Sequence, residues 1–131
     1  MNTLSATITA FTASEHLSIL SVAIGEDHFH LLLAEASHEP IGKNVTLAFK
    51  ETEIILSKNI TATSANCARA TVKKIESGIV LSQITLTYHN TILNALVPTL
   101  TLKPLEIHEG DELYWMVQPS EISLLRKTHG N

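Results

Sequence analysis

The sequence predicts an all-β protein built from two small β-barrels in tandem, with one short helix in each. Three observations carry this prediction: apolar and polar residues alternate along most of the chain, β-branched residues are frequent, and the second half of the chain repeats the first. Alternation with a period of two indicates strands with one buried face, and few windows have the spacing of a long helix.

The repeat is clearest at the end of each half. Residues 44–58 align with residues 112–126 without a gap, and Gly42 pairs with Gly110 in the same register. The starts of the halves also correspond, because Asn2 and Asn66 each open a run of alternating apolar residues. The boundary falls near residues 59–63 and predicts a first module at 1–60 and a second at 61–131.

Each half is predicted to contain three strands, a short helix and two further strands. Turn residues at 25–28 and 88–91 separate apolar runs and indicate hairpins. The alternation breaks at 35–41 and 99–107, where a hydroxyl residue near the start and a following glycine favour a helical turn or two. This order of elements is typical of an OB-like small barrel.

A half of this size buries little surface on its own, which favours packing of the two halves and a homo-oligomer, as a dimer or a trimer. No apolar stretch approaches the roughly 20 residues of a membrane-spanning helix. The start of the chain lacks the basic and apolar regions of a secretory signal, and the chain has one cysteine, Cys67. The expected compartment is therefore the reducing cytoplasm.

The formal net charge of -4 and the scattered lysines and arginines argue against a nucleic-acid partner. An anion would have to be recognised locally, by backbone N–H groups, hydroxyls and one or two placed cations. Cys67 lacks a recognisable partner for nucleophilic catalysis. Glu53 and Glu121 occupy equivalent positions of the repeat, so they do not indicate a general acid and base. We therefore predict no enzyme, no catalytic residue and no cofactor.

A pair of histidines, His28 and His30, shares one face of a predicted strand, a spacing that suits a transition metal. No third ligand lies near them in the sequence. No metal site is predicted.

The first half carries two motifs, Asn-x-Leu-x-Ala-x-Ile at its start and Gly-x-x-Val-x-Leu-x-Phe-Lys-x-Thr-Glu-Ile after the predicted helical turn. Together they resemble the molbindin (Mop/TOBE) family. The resemblance covers essentially the whole chain as a tandem pair. It implies a cytoplasmic protein that binds molybdate or tungstate between modules or subunits, for storage, homeostasis or sensing.

The resemblance also implies ligand-binding residues. In the family the oxyanion is held by a Ser-Ala-Arg-Asn segment before the first strand, by hydroxyls at the helical turn, and by a Lys-Ala-Ser-type segment near the last strand. The matching positions here are Lys50, Thr52, Ser37, Thr63, Ser64, Ala65, Asn66, Thr101 and Ser120.

The match departs from the family pattern in three places. The arginine of the Ser-Ala-Arg-Asn segment is absent, and Arg69 is the only nearby replacement. The first half has no donor segment before Asn2. The second half has Gln118 and Pro119 where the first has Lys50. Since neither half holds a complete set of donors, we expect any oxyanion to lie between modules.

An alternative function fits the same modules. The chain could be a TOBE-like regulatory or oligomerisation module of a molybdate transporter ATPase or repressor system, which need not bind anion itself. The sequence contains neither a Walker motif nor a helix-turn-helix segment. In this alternative the ATPase or the DNA-binding protein is a separate partner.

Overall fold

The computed structural model describes residues 1–35, 39–60 and 66–125. The first half contains β1 (Asn2–Ala13), β2 (Ser18–Ile24), β3 (Asp27–Leu33), β4 (Asn44–Phe49), a 3-10 turn (Glu51–Glu53) and β5 (Ile55–Ser57). The second half contains β6 (Asn66–Glu76), β7 (Leu81–Tyr88), β8 (Thr91–Pro98), α1 (Thr99–Leu102), a 3-10 turn (Lys103–Leu105), β9 (Glu112–Val117), a 3-10 turn (Pro119–Glu121) and β10 (Ser123–Leu125).

The strands form two five-stranded antiparallel sheets that exchange their last strands. One sheet has the order β10-β4-β1-β2-β3, and the other has the order β5-β9-β6-β7-β8. The short strand β5 of the first half thus pairs with β9, with Leu56 opposite Trp115, and β10 of the second half pairs with β4, with Leu124 opposite Leu47. Each sheet is completed by the other half of the chain.

The predicted fold class is confirmed: the protein is all-β, with two small barrel-like modules and a short helix in the second. The hairpins are also confirmed, with Gly25 at a φ of 60° in the first turn and His89 and Asn90 at 45° and 62° in the second. The segment predicted as helix at 99–107 forms α1 and the 3-10 turn that follows it. Residues 36–38 of the other predicted helix lie outside the described residues, and Glu39 and Pro40 are not helical.

The core is continuous across the two halves. Trp115 of β9 is fully buried, and its ring lies 5.2 Å from Phe29, 5.6 Å from Phe49 and 5.2 Å from Tyr88, measured between ring centroids. Phe29 and Phe49 belong to the first half, whereas Tyr88 and Trp115 belong to the second. Aromatic contacts of this kind add to the free energy gained by burying apolar area.

Among the described residues, no helix has the length and apolar character that crossing a membrane requires.

Candidate functional site

Two candidate residues from opposite halves, Thr52 and Thr101, line one cavity of about 350 Å³. Strand exchange favours this arrangement, because β5 pairs with β9 of the second half and the 3-10 turn before β5 lies against β8, which α1 follows. We call it the Thr52–Thr101 cavity. Its lining consists of Thr52, Ile54, Ile55, Leu56, Leu96, Val97, Pro98, Thr101, Leu102 and Leu105.

Among the described residues that line the cavity, the two threonines are the only ones with a hydroxyl, and the others are apolar. The Thr101 hydroxyl donates a hydrogen bond of 2.7 Å to the carbonyl oxygen of Pro98. A hydroxyl rotates freely, so the same proton can turn to an anion in the cavity. Both threonine side chains are exposed, so the cavity is open to an anion from solvent.

A cation lies next to this cavity in the sequence. Lys50 is exposed and extended, with φ -78° and ψ 152°, and it directly precedes the 3-10 turn that carries Thr52. Within the part of the chain that the structure describes, the Lys50 ammonium has neither a hydrogen bond nor an ion pair. The adjacent Glu51 pairs with the N-terminal ammonium at 2.7 Å, and this hydrogen bond lowers the pKa of Glu51. Lys50 is therefore available to a ligand.

A second cavity, of about 430 Å³, contains Ser120. It lies where β10 and the 3-10 turn before it meet the end of β3, so it is the counterpart of the first cavity in the other sheet. Ser120 and Ile122 take the places of Thr52 and Ile54. The lining of this Ser120 cavity consists of Leu32, Leu33, Ala34, Glu35, Ser120, Ile122, Ser123 and Leu124.

Asn66, another candidate, is 4% exposed and holds the backbone of the other half. Its Nδ2 donates to the carbonyl oxygen of His30 at 2.9 Å, and its Oδ1 accepts from the N–H of His30 at 2.8 Å. Asn2 makes the same pair of bonds with Asn94, at 2.9 and 2.8 Å. One Nδ2 hydrogen of Asn66 has no assigned partner in these bonds. The predicted contact of Asn66 with an oxyanion stays a prediction.

Arg69, the only nearby replacement for the missing arginine, does not line either cavity. Its guanidinium pairs with the carboxylate of Glu112 and lies 5.8 Å from the centre of the Tyr114 ring. Four further candidates, Ser37, Thr63, Ser64 and Ala65, lie outside the described residues.

A polar contact that the sequence did not predict joins the two hairpins. The Tyr88 hydroxyl donates to Oδ2 of Asp27 at 2.6 Å, and Nε2 of His89 lies 3.3 Å from the same oxygen. Burial, followed by the bond to Asp27, raises the pKa of Tyr88 well above its ordinary value of 10.0. The residues are more than 60 positions apart, so no local pattern marks the pair.

This shift predicts a loss of stability at alkaline pH. Above pH 10 the unfolded chain gains free energy by losing the Tyr88 proton, whereas the folded protein keeps it. The Tyr88 contribution is therefore fully present below pH 10 and falls above it, by at most about 1.4 kcal/mol per pH unit. Urea unfolding between pH 8 and pH 11 measures this slope.

The Tyr88→Phe variant is the control for that slope. It should be less stable than the wild type at pH 8, since it lacks the bond to Asp27, but it should lose less stability between pH 10 and pH 11. Equal slopes for the two proteins would show that Tyr88 ionises alike in the folded and unfolded chain.

The histidine pair shows no metal geometry. Nδ1 of His30 lies 2.9 Å from the Ser21 hydroxyl. Across residues 1–35, 39–60 and 66–125, no three side chains of His, Cys, Asp or Glu come together in a way that could hold a metal ion.

Comparison with known proteins finds solved structures of the same fold. No family model and no curated protein sequence matches the chain. The crystal structure of the cytoplasmic molybdate-binding protein ModG, solved with molybdate bound, superposes with a TM-score of 0.82. The alignment covers 94% of each chain at 20% sequence identity. This chain therefore has the fold of ModG over nearly its whole length.

Proposed function

We propose that the protein binds a tetrahedral oxyanion of the molybdate and tungstate class where its two halves meet. The observation that carries the proposal is the Thr52–Thr101 cavity, in which strand exchange unites two hydroxyls, one from each half. The fold shared with a molybdate-binding protein supports the same function. In the cell such a protein would store, buffer or sense the oxyanion in the cytoplasm, as a homo-oligomer.

The chemistry of the cavity suits this class of ligand. A tetrahedral dianion offers four acceptor oxygens, and the two threonine hydroxyls of the lining are donors. The Lys50 ammonium does not belong to the lining, and we propose that it reaches the anion from the residue before the 3-10 turn. Volume is not limiting, since about 350 Å³ is many times the roughly 30 Å³ that a water molecule occupies in the liquid. Neither half provides this set alone, because Lys50 and Thr52 come from the first and Thr101 from the second.

Titration calorimetry with sodium molybdate and sodium tungstate tests the proposal, with sodium chloride at equal ionic strength as the control for salt effects. We expect saturable heat and a rise in the melting temperature, because a ligand that binds only the folded state stabilises it by mass action. No heat and no thermal shift with either oxyanion would refute oxyanion binding.

Replacing both cavity hydroxyls, as Thr52→Val with Thr101→Val, should weaken molybdate binding about a hundredfold or more, because two hydrogen bonds are lost. The estimate follows from the 1.5 to 3 kcal/mol that a hydrogen bond to a charged group typically contributes. Thr3→Val is the matched control, because Thr3 is exposed on the outer face of β1. Binding that is unchanged in the double variant would place the anion elsewhere.

The lysine is expected to contribute through its charge. Lys50→Ala should weaken molybdate binding about tenfold and leave the melting temperature of the free protein unchanged, since the residue is exposed. Lys50→Arg should keep most of the affinity. Equal affinity in Lys50→Ala and the wild type would remove Lys50 from the site.

A second function is favoured by one observation, the mostly apolar lining of the Thr52–Thr101 cavity. Together with the missing arginine, it fits a regulatory or oligomerisation module that assembles with a transporter ATPase or repressor and binds no anion. A flat titration together with a stable oligomer in solution would favour this function.

A further inference from the structure

We infer that a second copy of the chain packs against one apolar face of the second half, made of Ile79, Val80, Leu81 and Leu100. We call it the Ile79 face. The inference identifies the surface behind the homo-oligomer of the proposed function, and it does not depend on whether an oxyanion binds.

The Ile79 face is formed by the connection between β6 and β7, the first residue of β7 and the start of α1. Ile79 is fully exposed, Leu100 is 80% exposed, Val80 74% and Leu81 48%. The segments adjoin, because the backbone N–H of Thr99 donates to the carbonyl oxygen of Val80 at 2.8 Å. Four large apolar side chains thus meet solvent in one place.

The connection between β6 and β7 is held in position by its own hydrogen bonds. The N–H of Gly78 donates to the Ser82 hydroxyl at 3.3 Å, and its carbonyl oxygen accepts from the Thr99 hydroxyl at 2.8 Å. A Cβ on residue 78 would lie 2.2 Å from the carbonyl oxygen of Leu81, so the turn requires glycine here. A surface fixed in this way loses little conformational entropy when a partner binds.

The module itself does not require apolar residues in this connection. The equivalent connection of the first half, between β1 and β2, carries Glu15 and His16, whose side chains are almost fully exposed, before the half-exposed Leu17. Charged and polar residues are the usual occupants of such an exposed turn. The second half has Ile79 and Val80 instead, which indicates a surface that another molecule covers.

Charge favours an identical face as the partner. None of the four side chains is charged, so two Ile79 faces meet without like-charge repulsion at their centre. Glu76, which precedes the connection, already pairs with Lys74 of the same strand at 2.7 Å. An interface in which every copy uses the same patch closes on itself and does not extend into a fibre.

The area of the Ile79 face suits the centre of a small interface between copies. Its four residues together expose about three whole side chains, each with on the order of 100 Å² of apolar surface. Roughly 300 Å² is less than the roughly 800 Å² that each partner of a standard interface buries. The face thus supplies an apolar core that the residues around it complete as a polar rim, and we expect reversible association.

Sedimentation velocity of the full chain, from micromolar to millimolar concentration and without oxyanion, tests the inference. We expect the wild type to shift from monomer to a dimer or trimer of defined mass as the concentration rises. Ile79→Asp and Leu100→Asp each place a charge in the apolar contact. Either variant should weaken association at least about a hundredfold, because like charges from the copies then face each other.

Ile41→Asp is the matched control, because Ile41 is an isoleucine of the first half that is 68% exposed and lies outside the Ile79 face. It should associate as the wild type does. Circular dichroism and the melting temperature report whether each variant is folded. Hydrogen exchange of the wild type is a second measurement that needs no variant: amides of residues 77–81 and 99–102 should exchange more slowly at high protein concentration.

The outcomes separate the inference from oxyanion binding. A wild type that stays monomeric over the whole range would overturn the inference, and so would an oligomer that both folded variants keep. An equal loss of association in Ile41→Asp would also overturn it, since any exposed apolar residue would then have the same effect. A monomer that binds molybdate keeps the proposed oxyanion site, whereas an oligomer with a flat titration keeps the inference and refutes that site.

Discussion

Replacing Trp115 by alanine is expected to lower the free energy of unfolding by about 3 to 5 kcal/mol, the usual cost of truncating a large buried aromatic side chain. The indole is fully buried and contacts the rings of Phe29, Phe49 and Tyr88. Since two of these rings belong to the first half, the loss should appear as one cooperative transition of the whole chain. Urea unfolding followed by circular dichroism and by proteolysis measures it.

Two variants serve as controls for Trp115. Tyr114→Ala removes a neighbouring ring on the other face of β9, which is only half-buried, and should cost less than about 1.5 kcal/mol. Trp115→Phe keeps a ring in the core and removes the indole N–H, which is buried without a hydrogen-bond partner among the described residues. Two separate unfolding transitions would contradict a shared core. So would a loss of less than about 1 kcal/mol, which is close to that of an ordinary surface substitution.

Replacing Asn66 by alanine is expected to cost about 2 to 4 kcal/mol, through the loss of two partly buried hydrogen bonds and the groups left without partners. The side chain amide of Asn66 holds both the N–H and the carbonyl oxygen of His30, which lies on an edge strand of the other half. The amide provides both a donor and an acceptor, and alanine provides neither. Chemical unfolding of the variant and the wild type measures the difference.

Asn44→Ala is the matched control, because Asn44 is an exposed strand residue whose Oδ1 accepts only from Thr7 in the described structure. It should cost less than about 1 kcal/mol. Asn2→Ala should resemble Asn66→Ala, since Asn2 holds Asn94 in the same way. If the Asn66→Ala and Asn44→Ala variants were equally stable, the bonds to His30 would contribute little to the stability of the fold.

The course of the strands could be predicted from sequence because it depends on local patterns. In β1 the buried positions Leu4, Ala6 and Ile8 alternate with outward-facing residues, and the two hairpin turns carry residues that accept positive φ. The exchange of β5 and β10 could not be predicted in this way. Alternation tells which face of a strand is buried, but a strand of three residues carries no information about the sheet it joins.

The candidate site was predictable to the extent that it lies in the repeat. Thr52 and Thr101 follow from motifs, whereas their common cavity depends on the strand exchange. The amide of Asn66 was predicted as a ligand, but a buried asparagine equally satisfies backbone groups, which the sequence does not distinguish.

A crystal of the protein soaked in sodium molybdate, with molybdenum located by its anomalous scattering, tests the central claim most directly. The account predicts a molybdenum peak in the Thr52–Thr101 cavity, with oxyanion atoms within hydrogen-bond distance of both hydroxyls. A peak only in the Ser120 cavity, or none in either cavity at a concentration that saturates the titration, would contradict it.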